Sequence, residues 1–312
     1  MGRRRNTGRP VNGWFILDKP VGMTSTAAVA LVKRVFNARK AGHAGTLDPL
    51  ASGCLPIALG EATKTVTFVM DGRKVYRFTV RWGAETDTDD TEGEVTATSD
   101  MRPDAAAIGA ILSEFCGTIS QVPPAYSAIK IAGERAYDLA RGGENVTLDA
   151  REITVHRLQL VDCPDEDTAV FEAECGKGTY VRALARDMGR RLGTRGHVAA
   201  LRRLVVGPFD EKVMVTPDSM ENAPQAGAGG LQPLEAALYQ VPALPFSEQD
   251  TARIRSGQAV LLRGRDAQVS EGAAYAVCAG VPVAIGRIDQ GSFTPKRVFN
   301  LNENQASEPA VD

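Results

Sequence analysis

The sequence predicts an α/β chain of the α+β kind, in which a larger region of interspersed helices and strands precedes a small β-rich unit. Three observations predict it. Lys74–Trp82 alternates strictly, with Val75, Arg77, Thr79 and Arg81 on one face and Tyr76, Phe78, Val80 and Trp82 on the other, the period of a half-buried strand. Apolar residues recur at helical spacing at Val29, Val32, Val35 and Phe36, and again at Ile108, Ile111, Leu112 and Phe115. Between Asn222 and Pro233 the composition turns to A-G-A-G-G and prolines, as in a linker, and from Leu244 to Leu301 short β-like stretches are punctuated by glycine.

Taken in order, the polar, basic start to Gly13 is expected to be disordered. Gly13–Leu17 reads as a strand running into the turn Asp18-Lys-Pro-Val-Gly-Met-Thr-Ser25, where Thr24 or Ser25 caps a helix that continues to about Arg39. Lys33, Arg34, Arg39 and Lys40 crowd the end of that helix, where they favour its dipole. Glu61–Met70 reads as helix. Glu85–Glu94 matches a D-x-D-x-T signature through Asp87, Asp89 and Thr91, but no apolar strand leads into it, and Glu92 stands where an EF-hand needs glycine. It is expected to be an exposed acidic loop. A capped helix follows Pro103 as far as Phe115, then a proline-stiffened segment, Gln121–Gly133, enters a short strand. Glu134–Arg141 reads as helix, Glu152–Asp162 and Thr168–Glu174 as strands. Cys175–Arg182 opens a helix to Leu192 carrying Arg182, Arg186, Arg190 and Arg191, and its Gly-Lys-Gly-Thr lacks the spacing of a phosphate-binding P-loop. Tyr275–Cys278 and Pro282–Arg287 are β-like, and the residues after Leu301 form a polar tail.

Composition bounds the function. The chain of 312 residues, 43% hydrophobic and 24% charged, is long enough for a sizeable core. No apolar run approaches the ~20 residues of a membrane span, and no signal-peptide core follows the basic start, so a cytoplasmic protein is expected. Five cysteines without a C-x-x-C and three scattered histidines argue against a disulfide framework and against a metal site. The net charge of -2 conceals a segregation: +9 over residues 1–80, -13 over 81–174, +7 over 175–209 and -5 thereafter. Either the basic blocks form a positive face, or their charges intermix in space with the acidic block.

Ala41–Gly60, A-G-H-A-G-T-L-D-P-L-A-S-G-C-L-P-I-A-L-G, is the stretch around which the rest is organised. It sets the carboxylate of Asp48 between Gly42, Gly45 and Pro49, in a segment that suits neither regular helix nor regular strand. Pro49 biases Asp48 toward an extended backbone that projects its side chain. Asp-Pro is also an ordinary turn dipeptide, and read alone Asp48 fits either role. Tyr76 lies on the apolar face of its strand, where a core tyrosine is the commoner occupant and a platform for a stacked base the other reading.

Four segments, D-K-P-V-G-M-T-S (18–25), G-H-A-G-T-L-D-P-L-A-S-G (42–53), P-P-A-Y-S-A-I-K (123–130) and G-K-G-T-Y-V-R (176–182), occur in the order and approximate spacing of the TruB-type tRNA pseudouridine-55 synthases, which the chain resembles over nearly its whole length. The resemblance implies a mixed, largely antiparallel sheet flanked by helices over residues 12–237, a PUA-like RNA-binding domain over 240–303, and short ends at 1–11 and 304–312. It implies isomerisation of a uridine in the tRNA T loop by a monomer that uses no cofactor and no metal. By position, Asp48 resembles the catalytic aspartate, Tyr76 the residue that stacks on the uracil, Tyr180 and Leu201 pocket residues, Arg182 the partner that orients Asp48, and His43 the residue set against the T loop. Lys19, Lys64 and Lys130 are candidates for RNA contact.

The chemistry suits these residue types. Breaking a glycosidic bond builds positive charge at C1′, which an ionised carboxylate stabilises or traps, unless it instead takes a sugar proton. A guanidinium beside it favours the ionised form, and an aromatic lid keeps the detached base from water. The base must first be flipped out of folded RNA. Two other classes remain: an RNA chaperone, which would need no acid in a positive cleft, and a glycoside hydrolase, which needs a second carboxylate ~5–9.5 Å away that no motif supplies. Without the resemblance, Tyr180 and Leu201 fit plain core positions, Arg182 a solvated charge and His43 a local hydrogen-bonding role.

Overall fold

Apolar alternation and continuous apolar runs assemble into two principal sheets. The computed structural model describes residues 8–127, 129–131, 134–142, 146, 148–222, 230–262 and 271–301. Along the chain the strands are β1 (Gly13–Lys19), β2 (Ala41–His43), β3 (Ala51–Leu59), β4 (Lys74–Trp82), β5 (Ala84–Thr86), β6 (Val95–Thr98), β7 (Gly117–Gln121), β8 (Lys130–Ile131), β9 (Glu134–Arg135), β10 (Arg151–Asp165), β11 (Thr168–Cys175), β12 (Gly196–Val206) and β13 (Leu231–Gln232), followed by β14 (Ala243–Pro245), β15 (Val260–Leu261), β16 (Gly272–Cys278), β17 (Val281–Asp289) and β18 (Ser292–Val298). The helices are α1 (Ser25–Val35), α2 (Val66–Asp71), α3 (Ala105–Ile111), α4 (Ala136–Arg141), α5 (Val181–Arg191), α6 (Pro217–Asn222) and α7 (Glu248–Arg255).

The larger sheet has the order β13-β1-β3-β12-β4-β11-β10-β7, with β2 beside β3. Its pairings are antiparallel except that of β12 with β3, so the sheet is mixed and largely antiparallel, as the resemblance implies. The alternation read in Lys74–Trp82 survives in β4, where Phe78, Val80 and Trp82 are buried and Arg77 and Arg81 exposed. Phe78 stacks on Phe171 of β11 with ring centroids 5.4 Å apart, and α5 lies against β12 with Leu184, Ala185 and Met188 buried. Thr24, not Ser25, caps α1 by accepting from the Ala27 N–H. The helix stops short of Arg39 because Asn37 turns left-handed (φ 46°) and the N–H groups of Asn37 and Ala38 close back on the carbonyls of Arg34 and Lys33.

Several elements depart from the sequence reading; besides the helix read over Glu61–Met70, whose α-helical part begins only at Val66, and Glu134–Arg135, which pairs as β9, three bear on the site. The second half of Ala41–Gly60 is no loop: residues 51–59 form the central strand β3, flanked by β1 on one side and by β12, then β2, on the other. Pro56 is tolerated there because the residues paired with β12 (51–53) and with β2 (57–59) leave it in the gap between the two neighbours, where its missing N–H interrupts no ladder. β12 escapes a period-2 reading because irregularities between Val198 and Ala200 and between Arg203 and Val205 shift its register. The basic start is also ordered in part. Arg9 bridges to Ala38 and its N–H donates to the Asn37 carbonyl at 2.6 Å, while residues 1–7, the linker residues 223–229 and the tail from 302 lie outside the described residues.

Gly53 is the last residue of β3 paired with β12 and passes close against it. Its φ is +100°, and a Cβ built there would lie 2.2 Å from the Arg203 carbonyl oxygen. Gly53→Ala is therefore expected to cost upwards of ~2 kcal/mol, since both the backbone conformation and the backbone contact must yield; denaturant unfolding measures it.

The small C-terminal sheet runs β14-β16-β17-β18-β15 around a cluster of Leu244, Ile254, Val260, Val283, Ile288 and Phe293. It is docked on the larger unit: Ile285 and Phe299 share a buried cluster with Trp14, Phe209 and Leu234. Lys64 reinforces the junction, donating to Glu61 at 2.6 Å and to the Val298 carbonyl at 2.7 Å, while Glu61 accepts the Asn300 N–H at 2.7 Å. Lys64, a candidate for RNA contact, is here a part-exposed strut between the units.

Candidate active site

Residues 44–50 bridge β2 and β3 and carry Asp48. The surrounding chain pins this short loop at nearly every residue. Ser25 both accepts the Leu47 N–H and donates to the Leu47 carbonyl, each at 2.9 Å. Gly22 N–H donates to the Pro49 carbonyl at 2.8 Å, and Leu47 and Leu50 sink into the core. The Lys19 ammonium, fully buried, donates to the carbonyls of Pro20 (2.9 Å), Met23 (2.8 Å) and Pro49 (3.4 Å). Burial lowers its pKa to about 8, with the Asp48 charge opposing the shift. Lys19, a candidate for RNA contact, is buried with its ammonium tied to backbone oxygens. The D-K-P-V-G-M-T-S stretch thus supports the Asp48 loop from beneath.

From the other side Arg203 of β12, 2% exposed, donates to the carbonyls of Cys54 (2.8 Å), Thr46 (3.2 Å) and Gly45 (3.2 Å). It pairs across the sheet with Tyr76, and its guanidinium sits against the phenol. Burial pushes the Tyr76 pKa up, with Arg203 acting in the opposite direction. The reading of the sequence missed Arg203; two adjacent arginines in an apolar run, Leu201-Arg-Arg-Leu-Val-Val206, were the available signal, since a charge inside a strand must have a partner. Arg203→Met keeps the bulk but leaves three carbonyls without their donor, and is expected to cost ~3 kcal/mol or more in an unfolding titration.

Asp48 itself is about one third exposed, and its Oδ2 lies 3.0 Å from Arg182 Nη2. Arg182, 5% exposed, opens α5 and completes its hydrogen bonds with the carbonyls of Thr88 (2.8 Å) and Tyr126 (2.9 Å); Asp90 Oδ2 stands 3.5 Å from its Nη1. Tyr180 precedes it as the N-cap residue of α5, held through its backbone by both ends of the Gln121 amide at 2.9 and 3.1 Å. Its phenol faces Ser127 and, like that of Tyr76, is raised first by burial and further by the Asp48 carboxylate. Asp48, Tyr76, Tyr180 and Arg182 are therefore brought together by the 44–50 loop, β4 and the start of α5. Leu201, buried, sits between Ala51 and Phe78 in the sheet, and His43 ends β2 at the start of the Asp48 loop. Lys130 falls in β8, and its side chain lies outside the described residues.

The acidic segment behind the site is the expected exposed loop only in part: Asp87, Thr91, Glu92 and Glu94 are exposed, but its other residues turn inward. Glu85, Thr86, Asp89 and Asp90 are all buried. The arginines of α5 draw them in: Arg186 meets Asp89 at 2.9 Å, and Arg190 forms a two-pronged pair with Glu85. Asp90 is fixed further by the Thr88 hydroxyl (2.6 Å) and the Glu92 N–H (3.0 Å). The basic block of residues 175–209 is thus partly spent inside the protein on the acidic block, as the intermixing alternative allowed. Lys33, Arg34, Arg39 and Lys40 stay exposed.

A model described as TruB family pseudouridylate synthase (N-terminal domain) matches residues 33–181, and one described as tRNA pseudouridylate synthase B C-terminal domain matches residues 182–239. The chain belongs to the TruB family. A TruB family relative from Bradyrhizobium diazoefficiens, named tRNA pseudouridine synthase B, is 62% identical over 97% of this chain and 90% of its own length. Relatives of the same name from Rhodopseudomonas palustris and Agrobacterium fabrum are 59% and 56% identical, over 98% and 95% of this chain and 86% and 97% of their own. The TruB fold of this chain also resembles solved structures: a Cbf5-Nop10-Gar1 complex (TM-score 0.69, 25% identity, 92% of this chain and 84% of that one) and an H/ACA RNP bound to a substrate RNA containing 2'-deoxyuridine (TM-score 0.70, 22% identity, 97% and 92%). Among the described residues, no helix is long and apolar enough to cross a membrane and no His, Cys, Asp or Glu group is arranged to hold a metal ion.

Proposed function

We propose that this chain is a tRNA pseudouridine synthase that isomerises uridine 55 in the T loop, acting as a monomer with Asp48 as its catalytic carboxylate. Family membership and the relatives' shared name support the activity on tRNA. The observation that carries the mechanism is the part-open Asp48 carboxylate 3.0 Å from a buried guanidinium, with two phenols within reach of its charge. Arg182 pairs with the carboxylate and aims it. Placed beneath the sugar, Asp48 stabilises or traps the charge that forms at C1′ as the bond to N1 breaks, or takes a sugar proton. The freed uracil turns against Tyr76 and the wall of Tyr180 and Leu201, then rejoins C1′ through C5. No atom is gained or lost: C5 gives up a proton and N1 takes one.

Reaching a stacked base requires flipping it, a cost of a few kcal/mol. Contacts to phosphate by the exposed cluster Lys33, Arg34, Arg39 and Lys40, by Lys130, and by a PUA-like unit over residues 240–303 offset it, with His43 set against the T loop. The test is to incubate an unmodified tRNA transcript with the protein and map pseudouridine. Product confined to position 55 without free uracil is expected. Modification elsewhere overturns the assigned position, and released uracil overturns the isomerase in favour of a hydrolase.

A further inference from the structure

One turn beyond Arg182 on α5, Arg186 projects from the same face and repeats its pattern of contacts. Arg182 reaches the 86–90 turn through the Thr88 carbonyl and Asp90, and the proline-stiffened segment through the Tyr126 carbonyl. Arg186 reaches the same two segments through Asp89 Oδ2 at 2.9 Å and the Val122 carbonyl at 2.8 Å, with its Nε on Asp187 at 2.8 Å. Both guanidiniums are buried, so neither set of contacts is a surface accident.

Asp89 is held in an unusual setting. It is 4% exposed and adopts φ 60°, a left-handed conformation rare outside glycine. Its carbonyl accepts the Val198 N–H at 3.0 Å, tying the turn to β12 as well. Burial raises its pKa to about 6; Arg186 and Arg182 oppose that shift, while Glu85 on β5 and Asp187 on α5 add to it. A buried ion pair is a weak device for stability alone, since apolar residues of equal volume hold a core as well or better. Strain and a desolvated pair in one turn point to a role in the site.

We infer that Arg186 and Asp89 form a positioning pair for the reaction at Asp48, fixing the 86–90 turn and residues 122–126 where their carbonyls and Asp90 can hold Arg182. The inference rests on the chemistry proposed for Asp48. Neither residue touches the substrate; they act through Arg182.

The test uses the full-length protein with Asp89→Asn, Arg186→Gln, Arg186→Lys, the double variant Asp89→Asn/Arg186→Gln, and Asp48→Asn. Single-turnover pseudouridine formation, tRNA affinity and thermal melting are measured on each. Asp89→Asn and Arg186→Gln are expected to slow the chemical step ~10- to 100-fold, since small displacements of a catalytic group are that costly, with tRNA affinity changed less than about threefold. The double variant should resemble the slower single one, because the two residues act as a unit. Arg186→Lys, a point charge that cannot bond both segments, should fall between wild type and Arg186→Gln. Between pH 7 and 5.5 the wild-type rate should fall as Asp89 takes up a proton, and Asp89→Asn should lack that component. Wild-type rates in folded Asp89→Asn overturn the inference even if melting shifts. Should Arg186→Gln fail to fold, Asp89→Asn decides, because asparagine keeps the size and tolerates the left-handed backbone. An active Asp48→Asn enzyme instead overturns the reading of Asp48, whereas inactive Asp48→Asn beside wild-type Asp89→Asn overturns only the positioning pair.

Discussion

Asp48→Ala is expected to abolish pseudouridine formation while leaving tRNA binding within about tenfold of wild type. On the proposed chemistry the carboxylate acts only where charge or a proton moves at the sugar, so its loss falls on the chemical step and not on affinity. The prediction also separates functional classes. A protein that only folds RNA would keep its activity in Asp48→Ala, and would gain affinity if a negative charge in a basic cleft were merely repelling phosphate. The loop is held by backbone contacts from Ser25, Lys19 and Arg203, none of which uses the Asp48 side chain, so the variant should fold. Product mapping and filter binding on one preparation read both quantities. Retained product sinks the assignment of Asp48.

Arg182→Lys should be nearly as damaging, with the rate lowered by ~100-fold or more, because a point charge cannot reproduce a planar fork that meets Asp48, Thr88 and Tyr126 together. Lysine would retain attraction for Asp48 yet lose the geometry. Arg182→Met should be worse still and should also destabilise the fold, since Asp90, 2% exposed, would be left without its cation at a cost of ~3–5 kcal/mol. If Arg182→Lys instead turns over normally, only charge is required there and the orienting role is wrong.

How far these residues could be found in the sequence depended on range. Strand β4 and the stripes of α1 and α3 were legible because their periods are local and uninterrupted. Asp48, Tyr76, Tyr180 and Arg182 were legible only through the resemblance, whose residues the fold brings to one place although 134 positions separate Asp48 from Arg182. What stayed hidden was the fate of charge. The acidic segment 85–94 has the composition of a solvated loop, and nothing within it reveals that Arg182, Arg186 and Arg190, about a hundred residues away, will draw Glu85, Asp89 and Asp90 into the interior while Asp87, Glu92 and Glu94 stay exposed. Lys19 and Arg203 were hidden for the same reason: a buried cation that serves carbonyl oxygens has no acidic partner to mark it in the sequence. β12 was hidden because its irregularities erase the alternation by which strands are recognised.

The fastening of residues 44–50 by Ser25, Lys19 and Arg203 has an entropic consequence. Ordering a flexible segment of this length upon ligand arrival would consume roughly 7–14 kcal/mol at ~1–2 kcal/mol per residue, and here that loss is already absorbed when the chain folds. The acid therefore waits in place, and association with RNA can spend its free energy on reshaping the nucleic acid instead of the protein.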